Sequence, residues 1–141
     1  MNPRNTSTGK VLEDLILPAL EHGGYKYKKR VAIGERLGGG KHLIDVLVED
    51  SAGKKYLVSL KWQQVPGTAE QKVPFEVICL AEAILSSGGE FHKAYLVLGG
   101  PGWRLREFFT KGGLNKYLRY SDLVKIVTLE DFIALANKQK L

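Results

Sequence analysis

A single cysteine, Cys79, is all that 141 residues hold, which excludes a disulfide scaffold and a cysteine-based zinc site. Set in the apolar run Val77-Ile78-Cys79-Leu80-Ala81, it reads as a small core residue. Histidine is sparse too: His22, His42 and His92 have no spacing that makes a metal cluster, and each reads as a surface or core residue. No apolar run is long enough to cross a membrane, and there is no internal repeat or low-complexity linker. The start Met1-Asn2-Pro3-Arg4 lacks the apolar stretch of a signal peptide, so the expected setting is cytoplasmic and reducing. Acid is also short, with 15 Asp and Glu against 21 Lys and Arg, and the net charge of +6 points to an anionic partner. A hydrophobic content of 44% is enough for one sizeable core, so residues 1–141 are expected to form one domain.

What is present centres on two apolar runs, His42-Leu43-Ile44-Asp45-Val46-Leu47-Val48 and Tyr56-Leu57-Val58-Ser59-Leu60-Lys61-Trp62, joined by the turn Asp50-Ser51-Ala52-Gly53-Lys54. They read as a hairpin. Asp45 is surrounded by Leu, Ile and Val, where an ionised carboxylate is costly unless a cation or hydrogen bonds compensate. Alternation puts Leu57, Ser59 and Lys61 on one face and Val58 and Leu60 on the other, so Asp45 and Lys61 can converge.

Two glutamates lie beside apolar helical stripes. Val11, Leu12, Leu15, Ile16 and Ala19 form the stripe of a first helix, Glu13 falls at its edge near Ile16 and Leu20, and Asp14 points away. Glu13 either joins a site or complements the helix dipole. Glu76 lies between Leu80 and Ala83 on the helix expected to begin at Pro74; it is either buried with a partner, part of a site, or a plain first-turn acid. Glu70 reads as an exposed loop residue.

The expected order is a helix over 7–22, kinked near Pro18, strands over 25–33, 42–49 and 55–62, a polar loop over 63–73, and a helix over 74–85. A buried strand over 94–98 follows, parallel to the Lys61 strand through the crossover helix, then a short helix over 103–109, a strand over 123–127 and a terminal helix capped at Thr128.

The Asp45 and Ser59-Leu60-Lys61 arrangement resembles the PD-(D/E)XK nuclease superfamily, the restriction-endonuclease-like fold. Asp45 takes the place of the first Asp, Leu60 the variable place and Lys61 the final Lys, while Ser59 stands where an acid is usual. The resemblance implies an α/β fold with a central mixed sheet of about four to five strands flanked by helices. Gly9-Lys10-Val11-Leu12-Glu13 is similar to the Gly-x-x-x-Glu opening of archaeal Holliday-junction resolvases, in which the Glu joins the metal site. In restriction enzymes of CCGG-type sites, Ser similarly fills the acidic place and a later Glu supplies the ligand, which points here to Glu76.

By this resemblance Asp45 is the principal ligand of Mg²⁺, for which Mn²⁺ may substitute, Glu13 and Glu76 support it, Ser59 belongs to the site, and Lys61 orients the attacking water. The implied function is a Mg²⁺-dependent DNA endonuclease of restriction, homing or junction-resolving type, a homodimer if both strands are cut. The alternative is an inactive nuclease-fold protein for DNA binding or assembly, with Ser59 natural or introduced.

For DNA, Tyr25-Lys26-Tyr27-Lys28-Lys29-Arg30 as a strand gives one cationic face of Lys26, Lys28 and Arg30, suited to phosphates or simply to guarding an edge strand. Lys41 closes the glycine-rich segment 34–41, which lacks the spacing of a nucleotide phosphate loop and reads as a flexible loop able to approach DNA. Gln63 and Gln64 are placed near the scissile phosphate or bases. Trp62 and Trp103 read as core or rim aromatics.

Overall fold

The computed structural model describes the backbone of residues 3–141 and the side chains from Lys10 onward. The reading of Met1 and Asn2 therefore lies outside the described residues, as do the side chains of Thr8 and Gly9. The elements are α1 (Pro3–His22), β1 (Lys26–Glu35), β2 (Lys41–Glu49), β3 (Lys55–Trp62), α2 (Ala69–Ser86), β4 (Phe91–Gly99), α3 (Arg106–Thr110), β5 (Val124–Thr128) and α4 (Leu129–Asn137), with two 3-10 turns between α3 and β5. The strands form one mixed five-stranded sheet in the order β1-β2-β3-β4-β5. β1, β2 and β3 pair antiparallel, and β3, β4 and β5 pair parallel. The parallel β3–α2–β4 crossover agrees with the sequence reading. Among the described residues no helix is long and apolar enough to cross a membrane.

Helices cover both faces of the sheet. On one, Val73, Val77 and Leu80 of α2 pack with Leu57, Leu96 and Leu98. On the other, Leu12, Ile16 and Leu20 of α1 and Phe132 and Ala136 of α4 pack with Val46, Val58, Tyr95 and Val97. Each fully buried aliphatic or Phe side chain contributes about 1.5–3 kcal/mol relative to exposure, so these two layers dominate the stability of the fold. Thr128 caps α4, its side chain accepting from the Asp131 N–H at 3.1 Å.

Three expectations need correction. The stripe of α1 is Leu12, Ile16, Ala19 and Leu20, whereas Val11 and Leu15 are exposed, because the helix meets the sheet about one position further round. α2 begins at Ala69, and Pro74 lies inside it. A proline there costs the bond to the Glu70 carbonyl, but the turn before it is tied down from outside: the Glu70 carboxylate accepts from the Leu105 N–H at 2.7 Å and the Gln63 amide at 3.5 Å. Glu70 is thus buried and structural, not an exposed loop residue.

The third correction concerns the cationic strand. Tyr25, just before β1, and Tyr27 of β1 pack on the α1 side, but Val31 and Ile33, of the same parity, pack on the α2 side. Val46 and Ile44 of β2 are split the same way. Both inversions fall at the opposed residues Arg30 and Asp45, and Arg30 has φ 53, a left-handed conformation unusual for a long side chain. Lys28 pairs with Leu47, which packs on the α2 side, while Arg30 reaches Glu13 of α1 at 3.6 Å. Lys26, Lys28 and Arg30 therefore do not share a face.

Candidate active site

The backbone inversion sets up the site. β2 and β3 pair from Glu49↔Lys55 to Val46↔Val58, and the register stops there. One residue on, the Asp45 side chain takes over from the backbone: the Leu60 N–H donates to its Oδ2 at 2.7 Å. The carboxylate is thus pinned in the opening between two parting strands. Burial raises its pKa above the usual carboxylate value; the Leu60 N–H and Lys61 pull it down, and Glu76 and Glu13 push it up.

Ser59 and Lys61 follow on β3. Ser59 is buried, and its hydroxyl donates to Glu76 Oε2 at 2.8 Å. This places a carboxylate from α2 one hydroxyl away from the position where an acid is usual. With α2 starting at Ala69, Glu76 lies beyond its first turn, which removes the helix-dipole reading. Its other oxygen, Oε1, accepts from Arg36 Nη2 at 2.7 Å. Burial works against the charge of Glu76, but Lys61, Arg36 and the Ser59 hydroxyl outweigh it and hold its pKa below the usual value. Lys61 is half-buried and in no salt bridge among the described residues, so its ammonium is free for another acceptor.

Glu13 approaches from the opposite face of the sheet. It is buried at 5% exposure, with Arg30 at its mouth. Its charge, like that of Glu76, reaches Asp45 and raises its pKa.

Two nearby residues were missed by the sequence reading. Arg36 sits in the glycine-rich loop expected to approach DNA, and no sequence pattern links it to a residue forty positions later. His42 was read as an ordinary surface or core histidine; it is 2% exposed, and its Nε2 has no hydrogen-bond partner among the described residues. Burial first, then Arg36 and Lys61, lower its pKa against the opposing pull of Glu76. The signal available was its position three residues before Asp45.

The proposed DNA-contacting residues are dispersed. Lys26, Lys28, Lys41 and Gln64 are exposed. Gln63 is not available to substrate: it is buried, its amide donates to the Gly102 carbonyl at 2.9 Å, and its own carbonyl accepts from the Gly102 N–H at 2.9 Å. Gly102 suits this reciprocal clasp because a Cβ there would stand 2.6 Å from the Val65 backbone. Trp103 is buried with its indole N–H on the Gly99 carbonyl, so it is a core residue.

Among the described residues no group of three or more His, Cys, Asp and Glu side chains stands together to hold a metal ion. The donors that do gather are hard carboxylate oxygens. Mg²⁺ is commonly held by one or two carboxylates, with waters and substrate phosphate completing its shell, and Asp45 with Glu76 or Glu13 fits that lean arrangement.

The family model of a PD-(D/E)XK nuclease superfamily domain matches residues 4–140. No curated protein matches. Among solved structures, the crystal structure of a protein of unknown function, AF1548, is similar at 16% identity with a TM-score of 0.47, over 86% of this chain and 56% of that one. The chain thus spans little over half the length of that protein.

Proposed function

This chain belongs to the PD-(D/E)XK nuclease superfamily, and from that premise we propose that it is a Mg²⁺-dependent endonuclease hydrolysing phosphodiester bonds of DNA. The observation that carries the reading is the Ser59–Glu76 hydrogen bond at 2.8 Å, which supplies from α2 the carboxylate that β3 lacks, beside an Asp45 pinned to the Leu60 N–H.

In this reading a backbone phosphate enters the opening between β2 and β3. Asp45 would hold the cation, with Glu76 and Glu13 assisting directly or through water. Mg²⁺ or Mn²⁺ bound there would lower the pKa of the attacking water and offset charge growing on the phosphate. Lys61, with an uncommitted ammonium, orients that water and stabilises the phosphate oxygens as the bond to the leaving oxygen breaks. The net charge of +6 favours the polyanion, with Lys26, Lys28, Lys41, Arg30 and Gln64 as candidate contacts. A second copy of the chain supplies the second cut where both strands are severed.

Supercoiled plasmid incubated with the purified protein tests the reading. Nicking is expected with Mg²⁺ or Mn²⁺ and not in EDTA, and Asp45→Ala is expected to slow it by several kcal/mol, roughly a thousandfold. Metal-independent nicking, or full activity of Asp45→Ala, contradicts it. An intact fold that binds plasmid but never cuts it leaves the non-catalytic alternative.

A further inference from the structure

Both oxygens of Glu76 are already engaged. Oε2 takes the Ser59 hydroxyl, and Oε1 takes Arg36 at 2.7 Å. A carboxylate this buried needs a cation beside it at all times, because an unpaired charge in the interior is strongly destabilising. Arg36 fills that seat, and a divalent ion approaching the same oxygen competes with it.

The setting of Arg36 suits displacement. The Glu76 side chain is 6% exposed, whereas that of Arg36 is 33% exposed, so only one partner is locked in place. Arg36 stands at the start of the β1–β2 connection, where its N–H meets the Gly40 carbonyl at 2.8 Å. The next glycines, Gly38, Gly39 and Gly40, have φ of 90, 100 and 89, and a Cβ on any of them would meet nothing within 4 Å. This connection is unpacked. The guanidinium lies 5.7 Å over the exposed Phe75 ring, a contact at the solvent edge of the site. A guanidinium released from a carboxylate also has a natural second partner, since its planar fork matches a phosphate as well as it matches Glu76.

We propose that Arg36 is an internal counter-ion that exchanges Glu76 for a DNA backbone phosphate, so that metal and DNA load the site together. The inference rests on the metal-dependent reading of Glu76. Before substrate arrives Arg36 neutralises Glu76. When a phosphate takes the guanidinium, the Glu76 oxygen opens to the cation, and by linkage the cation raises the affinity for DNA by the same factor.

The test is Mn²⁺ affinity by calorimetry at neutral pH, with and without a short phosphorothioate duplex that resists hydrolysis, on the full chain. For the wild-type protein the duplex is expected to tighten Mn²⁺ by roughly tenfold. Arg36→Ala should bind Mn²⁺ roughly that much more tightly than wild type without DNA, and gain no more from the duplex. In a Glu76→Gln background, Arg36→Ala should change nothing. Arg36→Gln, which keeps the stem over Phe75, replaces the alanine variant if circular dichroism shows the latter unfolded. If Asp45→Asn abolishes Mn²⁺ binding but Arg36 variants bind Mn²⁺ no better than wild type, the exchange is wrong and the metal reading stands. If neither Asp45→Asn nor Glu76→Gln affects Mn²⁺ binding, the metal reading fails and the exchange with it.

Discussion

In the parallel half of the sheet, β4 is buried along most of its length and covered on both faces, by α2 on one side and by α1 and α4 on the other. In the antiparallel half, every residue of β1 is half-buried or exposed. Along residues 94–98 a side chain on either face enters a dry layer, where polar groups are costly. The antiparallel half can bend, invert its faces at Arg30 and Asp45, and leave β3. The candidate site lies on the seam, with Ser59 and Lys61 fixed by the rigid half and Asp45, His42 and Arg36 brought up by the pliable one.

The largest effect expected from this contrast is on stability. Leu96→Ala in β4 should cost about 2–5 kcal/mol in urea unfolding, while Ile33→Ala in β1, already partly in solvent, should cost about 1 kcal/mol. Equal losses would remove the distinction between the halves.

A second, smaller contrast sharpens it at the seam. The pKa of Asp45 is raised in the fold, so its favourable contribution is complete below the ordinary value of 3.8 and is lost as pH rises through the folded value. Asp45→Asn is therefore expected to raise the melting temperature at pH 7 in EDTA, with the gain vanishing toward pH 3.8. Glu76 has the opposite sign. Its pKa is depressed, so its contribution is present above 4.5 and lost as pH falls through the folded value. Glu76→Gln should lower the melting temperature at pH 7 and become neutral in acid. Parallel pH profiles for the two variants would show that the carboxylates sit in equivalent environments, against this account.

The smallest effect concerns DNA. Because Arg30 crosses to the Glu13 side, Lys26 and Lys28 form a pair without it. Replacing both lysines with Ala should reduce the salt dependence of DNA affinity by about two phosphate contacts, and Arg30→Ala by less than one, since Arg30 is already engaged. An equal effect of all three would restore the single cationic face.

Much of this was legible in the sequence. Period-two alternation located β2 and β3, and an aspartate amid Leu, Ile and Val pointed to a compensating partner, which the Leu60 N–H supplies. The crossover from β3 to β4 followed from the apolar run 94–98. What failed did so through tertiary contacts. Pro74 looks like a helix start, but Glu70 anchors the turn before it to Leu105 and Gln63. Strict alternation through Arg30 assumes extended backbone, and nothing local makes an arginine adopt φ 53. Arg36 and His42 are separated from Glu76 by dozens of residues, and only folding joins them.

The central claim is that α2 supplies, through Glu76, the carboxylate that Ser59 omits. Plasmid nicking in Mn²⁺ by wild type, Glu76→Ala, and Glu76→Ala combined with Ser59→Glu tests it most directly. Glu76→Ala is expected to abolish nicking while DNA binding is retained, and adding Ser59→Glu is expected to restore part of the nicking. If Ser59→Glu alone turns an inert protein into an active nuclease, and Glu76→Ala in that background changes little, Ser59 is an inactivating residue and the claim is wrong.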